Sequence, residues 1–414
     1  MSTKVLVIEA GRCKSCGRCV ELCPKKTLAI GKEINEQGYN YVTQIHPENC
    51  VRCNTCGLVC PDIAIGVTEK RFPDWHHPLS GQESGRGRRG KGRSCMSDLT
   101  PLFKPKSVAL IGASANTTKY GYWTAKSLLE GGYKGRVYLI TRSGGEILGH
   151  ETYTDISKVP GDVDLAIIAI APKYILPVIE QCSAKGVKVG IVVSTGFGET
   201  GEEGKKLERK ILATARRGGM RLMGPNCMGM YSAAASINAS IIDLAPGNMS
   251  LVLQSGNFGI DINFNAKQRN LGYSCWCSIG NQLDLRFSDF VSYIADDEET
   301  RVLLLYMEGL RKESEADGRN FIEAARRTSL RRPIAAIKIG RSAAGARAAA
   351  SHTGSLAGSA KVFDSALKQC GIVRCDSPNE LLDVAETFVK SKPAFGRRVA
   401  VLTDGGGHGV MATD

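Results

Sequence analysis

The sequence predicts a protein of several domains, in which a small cysteine-rich α+β module is followed by two α/β domains with parallel sheets. The chain has 414 residues, which is too long for one ordinary domain. Eight of its 15 cysteines fall in two short runs within the first 60 residues. From Lys106 onward, continuous apolar segments alternate with helical segments, which is typical of buried parallel strands joined by crossover helices.

The composition excludes several classes of protein. Hydrophobic residues make up 43% and charged residues 23% of the chain, as in folded globular proteins and unlike disordered ones. No segment approaches the roughly 18 apolar residues of a membrane span, and the apolar run at the start is too short for a signal peptide. Because the clustered thiols also require a reducing compartment, we expect a cytoplasmic location.

The two cysteine runs share the spacing C-x2-C-x2-C-x3-C and are each followed by proline. This spacing is typical of two [4Fe-4S] clusters, because three thiolates of one run and the last thiolate of the other hold each cluster. A disulfide framework would need an oxidising compartment, and zinc sites usually need only paired cysteines. We therefore predict a two-cluster domain over residues 1–69. One predicted ligand set is Cys13, Cys16, Cys19 and Cys60, and the other is Cys50, Cys53, Cys56 and Cys23.

Residues 4–68 also resemble a known redox subunit. The insert INEQGYNYVTQI and the ending CPDIAI are similar to the ferredoxin-like delta subunit of 2-oxoacid:ferredoxin oxidoreductases. The resemblance implies that this domain passes electrons from an oxidised 2-oxoacid to a mobile ferredoxin. The cysteine spacing by itself indicates the clusters and leaves their redox partner open.

Residues 70–99 are rich in glycine, serine and arginine and predict a flexible connector. Five of the positive charges behind the net charge of +13 lie between Arg86 and Arg93, but no aromatic residues are interleaved, so we expect no nucleic-acid partner. Met96 begins the segment MSDLTPLFKPKS, which looks like the start of a separate polypeptide. The connector is thus either a true tether or translated intergenic sequence.

The first α/β domain is predicted over residues 100–232, with the strands SVALI, RVYLIT, DLAIIAIA and GIVVST. Crossover helices between such strands give a Rossmann-like fold. The fingerprint G-x-G-x-x-G is absent, and the second strand ends in Thr141 and Arg142 rather than in an acidic residue. Both features argue against a nicotinamide dinucleotide, whereas a basic residue there suits a phosphate. The sequence therefore favours a different phosphorylated nucleotide.

Three motifs of this domain resemble one family. LFKPKSVALIGAS, STGFGETG and GPNCMG are similar in sequence and order to the CoA-binding domain of NDP-forming acyl-CoA synthetases, which are related to succinyl-CoA synthetase. This family usually has Asn-Pro-Lys after the second strand, where this chain has Thr141, Arg142 and Ser143. The resemblance implies that the CoA site is lined by Gly112, Ala113, Ser114, Pro172, Ser194, Gly196, Phe197 and Asn226.

A second, flavodoxin-like α/β domain is predicted over residues 233–392. Its strands are MSLVLQSG, CWCSIG, RVLLLYMEG and PIAAIKIG. Two glycine turns follow strands of this domain, and ligands of open parallel sheets bind at that edge. The candidate ligand-binding residues in these turns are Ser255, Gly256, Gly280 and Asn281.

His352 lies in the small, polar segment 341–360, just before a predicted helix that ends near Gln369. A loop histidine without a role is one interpretation. The other is a nucleophile that accepts a phosphoryl group, for which glycines and helix N-termini provide the necessary positive potential. Glu308, after the strand RVLLLYM, would orient the imidazole. Arg341 is a candidate for holding phosphate in transit, as is Arg347.

The segment ASHTGSLAGS resembles the phosphohistidine segment of ADP-forming acyl-CoA synthetases, and YMEG resembles the strand that bears its partner glutamate. The resemblance implies the reaction acyl-CoA + ADP + phosphate to carboxylic acid + CoA + ATP. It also implies a separate ATP-grasp beta subunit that binds ADP or ATP with Mg²⁺, and hence a hetero-oligomer without a membrane partner. Two alternatives remain open: an electron-transfer subunit of a 2-oxoacid oxidoreductase with a non-catalytic CoA module, and a CoA-binding regulator.

Residues 393–414 predict one more strand and a glycine-rich turn, as the start of an incomplete third α/β domain. GGGHG is not followed by GK[ST], which excludes a Walker motif. The resembled family has a further flavodoxin-like domain at this place. Because one strand cannot bury its faces alone, we expect a truncated sequence or completion by a partner chain.

Overall fold

The computed structural model describes residues 4–69, 98–311, 316–342, 344–345, 347, 360–391 and 399–413. His352 lies outside the described residues, as does most of the predicted connector. Among the residues that are described, no helix combines the length and the hydropathy needed to cross a bilayer.

The three predicted folds are confirmed, in the predicted order. The strands are β1 Lys4–Ile8, β2 Leu28–Ile34, β3 Asn40–Gln44, β4 Ile65–Glu69, β5 Ser107–Ile111, β6 Arg136–Ile140, β7 Glu146–Ile147, β8 His150–Tyr153, β9 Leu165–Ile168, β10 Val189–Val192, β11 Arg221–Met223, β12 Gly229–Ser232, β13 Ile237–Asn238, β14 Pro246–Leu253, β15 Tyr273–Ser278, β16 Val302–Met307, β17 Ile334–Lys338 and β18 Ile372–Cys375. The helices are α1 Arg18–Glu21, α2 Thr55–Val59, α3 Thr100–Phe103, α4 Tyr120–Glu130, α5 Ile175–Ala184, α6 Glu202–Arg217, α7 Gly256–Gln268, α8 Phe287–Ile294, α9 Ala316–Ser329, α10 Ala360–Gln369, α11 Pro378–Lys390 and α12 Gly406–Thr413.

The N-terminal domain is built on two antiparallel strand pairs. Strand β1 pairs with β4, and β2 pairs with β3. The short helices α1 and α2 each carry a cysteine that is buried in the small core of this domain, Cys19 and Cys56. Besides the cysteines, this core contains few large side chains, such as Leu28, Val42 and Val59. A domain with so small an apolar core usually needs a metal centre or disulfides for stability, which agrees with the predicted clusters.

The first α/β domain has a seven-stranded sheet with the order β11-β10-β9-β5-β6-β8-β7. All its pairings are parallel except that of β7 with β8. Successive strands are added on one side of β5 and then on the other, so the strand order reverses between the neighbouring strands β5 and β9. Such a reversal opens a crevice at the carboxyl ends of the strands, where ligands of this fold bind.

The second α/β domain has a seven-stranded sheet with the order β13-β12-β15-β14-β16-β17-β18. The five neighbouring strands β15, β14, β16, β17 and β18 are parallel to one another, and β12 pairs antiparallel with β15. The sequence boundary at residue 232 assigned β12 to the preceding domain, whereas its four residues pair with the second sheet. A short buried strand satisfies the pattern of either sheet, and only the long-range pairing decides between them.

The two α/β domains share one apolar core. Leu110 and Ile167 of the first sheet belong to the same buried cluster as Val252 and Leu305 of the second. Because this apolar cluster is continuous, the two sheets form a single packed body and are not separate domains joined only by a linker.

Backbone hydrogen bonds reinforce this junction. The segment that follows β15 runs beside the end of β11. The Leu283 N–H donates to the carbonyl of Gly224, and the Leu285 N–H donates to the carbonyl of Leu222, each at 2.9 Å. Asp284, between them, is buried and accepts hydrogen bonds from the guanidinium groups of Arg216 (2.9 Å) and Arg221 (2.6 Å). The junction thus combines a strand-like ladder with a buried ion pair.

The predicted strand near the end of the chain is wrong. Within the described stretch 399–413, the backbone forms the helix α12 and no strand. Val399 and Leu402 are exposed because nothing in this stretch covers them. A strand requires a neighbour that supplies its hydrogen bonds, and none is within reach of these residues in the described part of the chain.

We predict that Asp284→Ala lowers the free energy of unfolding by about 2–3 kcal/mol, because two partly exposed arginines and the Leu222 N–H lose their buried acceptor. Urea denaturation followed by circular dichroism measures the change. The matched control is Asp296→Ala, since Asp296 also binds two arginines, Arg327 and Arg331, but is half exposed. That variant should lose at most about 1 kcal/mol. Equal losses in the two variants would contradict a structural role for the buried pair.

Candidate functional site

One cavity of the N-terminal domain is lined by four thiols that come from both cysteine runs. They are Cys23, Cys50, Cys53 and Cys56. The thiols of the other predicted set also lie close together, since burial and the neighbouring thiols of Cys60 and Cys16 raise the pKa of Cys19 to about 12. Crowded, partly buried thiols without a nearby cation are costly to ionise, and a cationic iron–sulfur core removes that cost. Both groups therefore fit the cluster that the spacing predicts.

Backbone N–H groups point at sulfur atoms in this domain. The Ala64 N–H donates to Cys60 Sγ at 3.1 Å, and the Val42 N–H donates to Cys13 Sγ at 3.4 Å. Such bonds stabilise thiolate ligands and tune the reduction potential of a cluster. Cys13 and Cys60 come from different cysteine runs but belong to one predicted ligand set, and both accept a hydrogen bond from a backbone N–H.

The turn after β5 brings backbone close to backbone. Gly112 has φ +98°, and a Cβ atom there would lie 2.3 Å from the carbonyl oxygen of Ala169. A Cβ on Gly121 would lie 2.0 Å from the carbonyl oxygen of Gly112, so the start of α4 packs directly on this turn. Only glycine fits at either position. Ala113 belongs to the buried apolar core, and Ser114 lies in the turn that leads to α4, where its hydroxyl accepts from the Asn116 N–H at 3.1 Å.

The loop after β10 forms the next side of the crevice. Ser194 Oγ donates to the carbonyl of Ile170 at 2.5 Å, and Gly196, at φ +101°, lies against Pro172. These contacts bring three of the predicted CoA residues together at one sheet edge. Phe197 differs, because its side chain is fully buried in the core of the domain. Its backbone is engaged as well, since the Phe197 N–H donates to Glu199 at 3.1 Å and the Phe197 carbonyl accepts from the Thr200 N–H at 2.8 Å.

Asn226 connects this crevice with the second sheet. Its backbone N–H donates to the carbonyl of Ser194 at 2.9 Å, and its side-chain amide donates to Asn281 Oδ1 at 3.3 Å. Gly280 has φ +52°, and a Cβ there would lie 2.2 Å from the Pro225 carbonyl oxygen. The structure thus brings together predicted residues from both α/β domains.

Glu308 follows β16 at the carboxyl edge of the second sheet and is only 2% exposed. Its backbone is held on two sides. The N–H groups of Glu308 and Gly309 donate to Gln254 Oε1 at 2.6 and 3.0 Å, and Lys338 Nζ donates to the Glu308 carbonyl at 2.7 Å. Because β14, β16 and β17 are adjacent parallel strands, residues that follow each of them meet at this point.

The start of α7 lies beside the CoA-domain motif. Ser255 is its N-cap and its hydroxyl accepts from the Phe258 N–H at 3.5 Å. A Cβ on Gly256 would lie 2.7 Å from the side chain of Met228, in the motif GPNCMG. The Met228 carbonyl in turn accepts from Tyr120 Oη, at the start of α4, at 2.9 Å. Two helix N-termini from different domains are therefore linked through one residue.

Comparisons with known proteins agree with this architecture. A family model described as "Succinyl-CoA ligase like flavodoxin domain" matches residues 246–388, and one described as "CoA binding domain" matches residues 106–233. A third, "4Fe-4S dicluster domain", matches residues 12–64. The alpha subunit of acetate–CoA ligase [ADP-forming] I from Pyrococcus furiosus is 44% identical over 322 residues, which are 76% of this chain and 69% of the relative.

The chain belongs to the ADP-forming acetate–CoA ligase family.

A solved structure of the dinucleotide forming acetyl-coenzyme A synthetase 1 of Ca. Korarchaeum cryptofilum, in complex with phosphate and ADP, is similar to this ligase-family chain. The TM-score is 0.72 at 40% identity, with 77% of this chain and 68% of the other covered. The N-terminal domain is similar to a different protein. Ketoisovalerate oxidoreductase subunit VorC of Methanothermobacter marburgensis is 44% identical over 69 residues, which are 16% of this chain and 86% of that subunit. Both sequence resemblances are thereby confirmed.

The structure adds a buried network that the sequence analysis missed. Glu208 on α6 is 1% exposed, and Arg311 donates to its carboxylate at 2.8 Å. Asn281 Nδ2 donates to Glu208 Oε1 at 3.0 Å and to Glu199 Oε2 at 2.7 Å. The two carboxylates thus anchor the second-domain turn to the first domain of this ligase-family chain.

A sequence signal for Glu208 did exist. It lies four residues after Gly204 and three before Ile211, on the buried face of an otherwise strongly charged helix. A carboxylate on an apolar helix face requires a partner when it is buried. Its partner Arg311 is 103 residues further along the chain, at a distance that helical spacing does not predict.

Two predicted phosphate contacts have different outcomes. Arg341 donates to both carboxylate oxygens of Asp364 on α10, at 2.7 and 2.9 Å, so its guanidinium is engaged in an ion pair. Arg142 instead lies over the ring of Tyr174 together with Lys173, at 5.4 and 4.9 Å from the ring centroid. These two cations follow β6 and β9, next to the crevice of the first sheet.

Glu199 gives a pH-dependent prediction. Burial acts to raise its pKa, but hydrogen bonds from Asn281 and from the backbone N–H groups of Phe197 and Gly196 hold that pKa below the ordinary value of 4.5. Because the folded-state pKa is depressed, the ionised group stabilises the fold above about pH 4.5, and this contribution is lost as the pH falls further. We expect Glu199→Gln to lower the free energy of unfolding at pH 7. The NH₂ group of the glutamine would face the NH₂ group of Asn281, and two donors cannot form a hydrogen bond.

The difference between wild type and Glu199→Gln should shrink as the pH falls from 5 to 3. Urea denaturation of the full chain at each pH measures it, and the difference between variants cancels the acid sensitivity of the N-terminal domain. A difference that stays constant over this range would show that the ionised form is not the stabilising one.

Proposed function

We propose that the chain is the alpha part of an ADP-forming acyl-CoA synthetase that also carries two [4Fe-4S] clusters. The proposed reaction is acyl-CoA + ADP + phosphate to carboxylic acid + CoA + ATP. The observation that carries it is the contact of Gly256 with Met228, which joins the ligand edge of the CoA-binding domain to the edge that bears Glu308. Family membership supports the same conclusion, since relatives bear that activity in their names.

The reaction divides into three displacement steps. A phosphate oxygen attacks the thioester carbonyl, and CoA leaves as the thiolate, which gives an acyl phosphate. The imidazole of His352 then attacks phosphorus, and the carboxylate leaves. Finally an oxygen of ADP attacks the phosphohistidine, which forms ATP and restores the imidazole. Sequential displacements at held groups avoid a reaction in which three free substrates must meet.

The residues around Glu308 suit the middle step. Glu308 is buried, and hydrogen bonds with Gln254 and Lys338 hold its backbone at the edge of the second sheet. A carboxylate that accepts from an imidazole N–H sets the tautomer and stabilises the cationic ring that phosphorylation produces. The nearby N-terminus of α7, a helix of 13 residues, offers N–H groups and a favourable dipole to the phosphoryl oxygens. Ser255 and Gly256 are the proposed contacts there.

The CoA site is proposed at the crevice of the first sheet. Backbone N–H groups beside Gly112, Ala113 and Ser114 suit a phosphate at the start of α4. Arg142 and Lys173 supply the cations that the usual Asn-Pro-Lys segment provides in the family. The remaining proposed contacts are Pro172, Ser194, Gly196, Asn226, Gly280 and Asn281.

The nucleotide is assigned to a separate ATP-grasp beta subunit, which would also bind Mg²⁺. The Pyrococcus furiosus relative is named as a subunit, whereas the acetate–CoA ligase [ADP-forming] I of Archaeoglobus fulgidus is matched over only 45% of its length. The longer relative therefore has room for the parts that this chain would obtain from a partner. A CoA substrate and thiolate-bound clusters favour the cytoplasm.

The clusters are proposed to be held by the two predicted cysteine sets, one of which lines the cavity described above. When bound, such clusters carry single electrons at low potential. The similarity to the VorC subunit supports exchange of these electrons with a 2-oxoacid oxidoreductase. Oxidation of a 2-oxoacid yields both an acyl-CoA and low-potential electrons, so the two halves of this chain would receive the two products of one reaction.

We predict that His352→Ala abolishes phosphorylation of the chain. The full chain is incubated with an ATP-grasp beta subunit and γ-³²P-labelled ATP, and acid-labile label on the chain is measured after rapid mixing. Wild type should become labelled, and His352→Ala should remain at background. Glu308→Gln, which is isosteric, should label about 10²-fold more slowly because the imidazole loses its orienting carboxylate. Label of unchanged amount in His352→Ala would refute the proposed intermediate.

We predict that Arg142→Ala combined with Lys173→Ala weakens CoA binding about tenfold, because the variant loses charge-assisted contacts worth about 1.4 kcal/mol. Isothermal titration calorimetry of the full chain measures the affinity. Dephospho-CoA is the matched ligand, since it lacks only the 3′-phosphate. A loss seen with CoA and not with dephospho-CoA assigns the pair to the 3′-phosphate, and an equal loss with both assigns it to the diphosphate. Unchanged affinity for both ligands would contradict the proposed role.

A further inference from the structure

The N-terminal domain docks on α10, the helix that begins at Ala360. Arg18 Nη1 donates to Ser365 Oγ at 2.6 Å, and Lys361 Nζ pairs with Glu21 at 2.6 Å. Val362 packs against the core of the cysteine domain. The synthetase part and the cysteine domain therefore share a polar and apolar interface.

Gln369, the last residue of α10, makes the closest approach to the cysteines. Its Nε2 group faces three backbone carbonyl oxygens of the cysteine domain, with hydrogen bonds to Gly57 at 2.9 Å, to Leu58 at 3.2 Å and a further one to Cys60. On the other side, Gln369 Oε1 accepts from Arg326 Nη2 at 3.0 Å. A carbonyl oxygen can only accept and a guanidinium can only donate, so the surroundings determine the orientation of this amide.

The carbonyl of Gly57 in particular needs such a donor because of the local sequence. Helix α2 ends at Val59, and the last carbonyls of a helix have no partner within it. The carbonyl of Gly57 would ordinarily accept from the N–H group four residues later, but that residue is Pro61, which has no N–H. Gln369 supplies the missing donor from another domain.

This position matters for both predicted clusters. Helix α2 contains Cys56, and Cys60 directly follows its last residue. These two cysteines belong to different proposed ligand sets. A donor that holds the backbone here holds one thiolate of each cluster. Residues around the ligands orient them and tune the metal centre.

We propose that Gln369 is a positioning residue for the iron–sulfur clusters, contributed by the synthetase part of the chain. Its amide N–H groups cap α2 and bind the backbone carbonyl of Cys60, which would place fixed N–H dipoles near the cluster that Cys60 is proposed to hold. This inference rests on the proposed ligand sets. It makes the electronic properties of the clusters depend on α10, the helix that follows the His352 segment in sequence.

The test compares reduction potentials in the full, cluster-loaded chain. Gln369→Met keeps the length of the side chain without its donor, and Gln369→Glu keeps its shape but adds a negative charge. Removal of an N–H dipole and addition of negative charge both disfavour the electron that enters the cluster. An EPR-monitored redox titration should therefore give a more negative potential in both variants. For Gln369→Glu we expect the reduction equilibrium constant to fall about tenfold, which is about 59 mV for one electron.

Ser365→Ala is the matched control, because it removes another hydrogen bond of the same interface that ends on Arg18 rather than on the backbone of a cysteine. Its potentials should equal those of wild type. Loss of the signal of one cluster in either Gln369 variant, with both clusters retained in Ser365→Ala, also supports the proposal. Potentials that are unchanged in both Gln369 variants, with both clusters present, overturn it.

Iron and acid-labile sulfide content separates this result from failure of the proposed function. Wild-type chain that does not hold two four-iron clusters would refute the ligand sets themselves. Two intact clusters with potentials that do not respond to Gln369 would refute only the positioning role.

Discussion

The two α/β domains depend on the junction at which the segment after β15 is hydrogen-bonded beside the end of β11. Asp284 is buried there between two arginines, and the Asn281 amide reaches two carboxylates of the first domain. Removal of one partner from such a network leaves buried groups unsatisfied, so the network admits one relative placement of the two sheets. That placement is what brings Met228 against Gly256 and the CoA crevice next to the edge that bears Glu308.

A rigid junction has a direct chemical consequence. In the proposed reaction, an acyl phosphate made at one sheet edge must pass its phosphoryl group to an acceptor at the other, and a fixed distance between the edges favours this transfer. The structure offers two helix N-termini joined through Met228 and a glutamate whose backbone is held by Gln254 and Lys338. The cysteine domain contacts the two α/β domains through α10, in addition to being joined to them by the chain. The proposed electron transfer and the proposed phosphoryl transfer would therefore take place in one packed unit.

Much of this could be predicted from sequence, because the decisive signals are local. The cysteine spacing gives the cluster domain, and the apolar strands with their glycine turns give both sheets and the N-cap Ser255. What could not be predicted depends on long-range pairing. By its sequence pattern, strand β12 fits either sheet. The strand expected after residue 397 has no pairing partner among the described residues. The side chain of Phe197 lies in the core, although it follows the crevice residues Ser194 and Gly196 in sequence. Glu208 and Gln369 find partners 103 and 309 residues away.

The most direct measurement is the stoichiometry of the complete reaction. The full chain is combined with an ATP-grasp beta subunit, acyl-CoA, ADP, Mg²⁺ and phosphate, and ATP and free CoA thiol are followed together. We predict that one ATP forms for each CoA thiol released, and that no thiol is released when phosphate is omitted. Thiol release without ATP, or with phosphate absent, would mean that the thioester is simply hydrolysed and that no phosphoryl group is passed between the two edges.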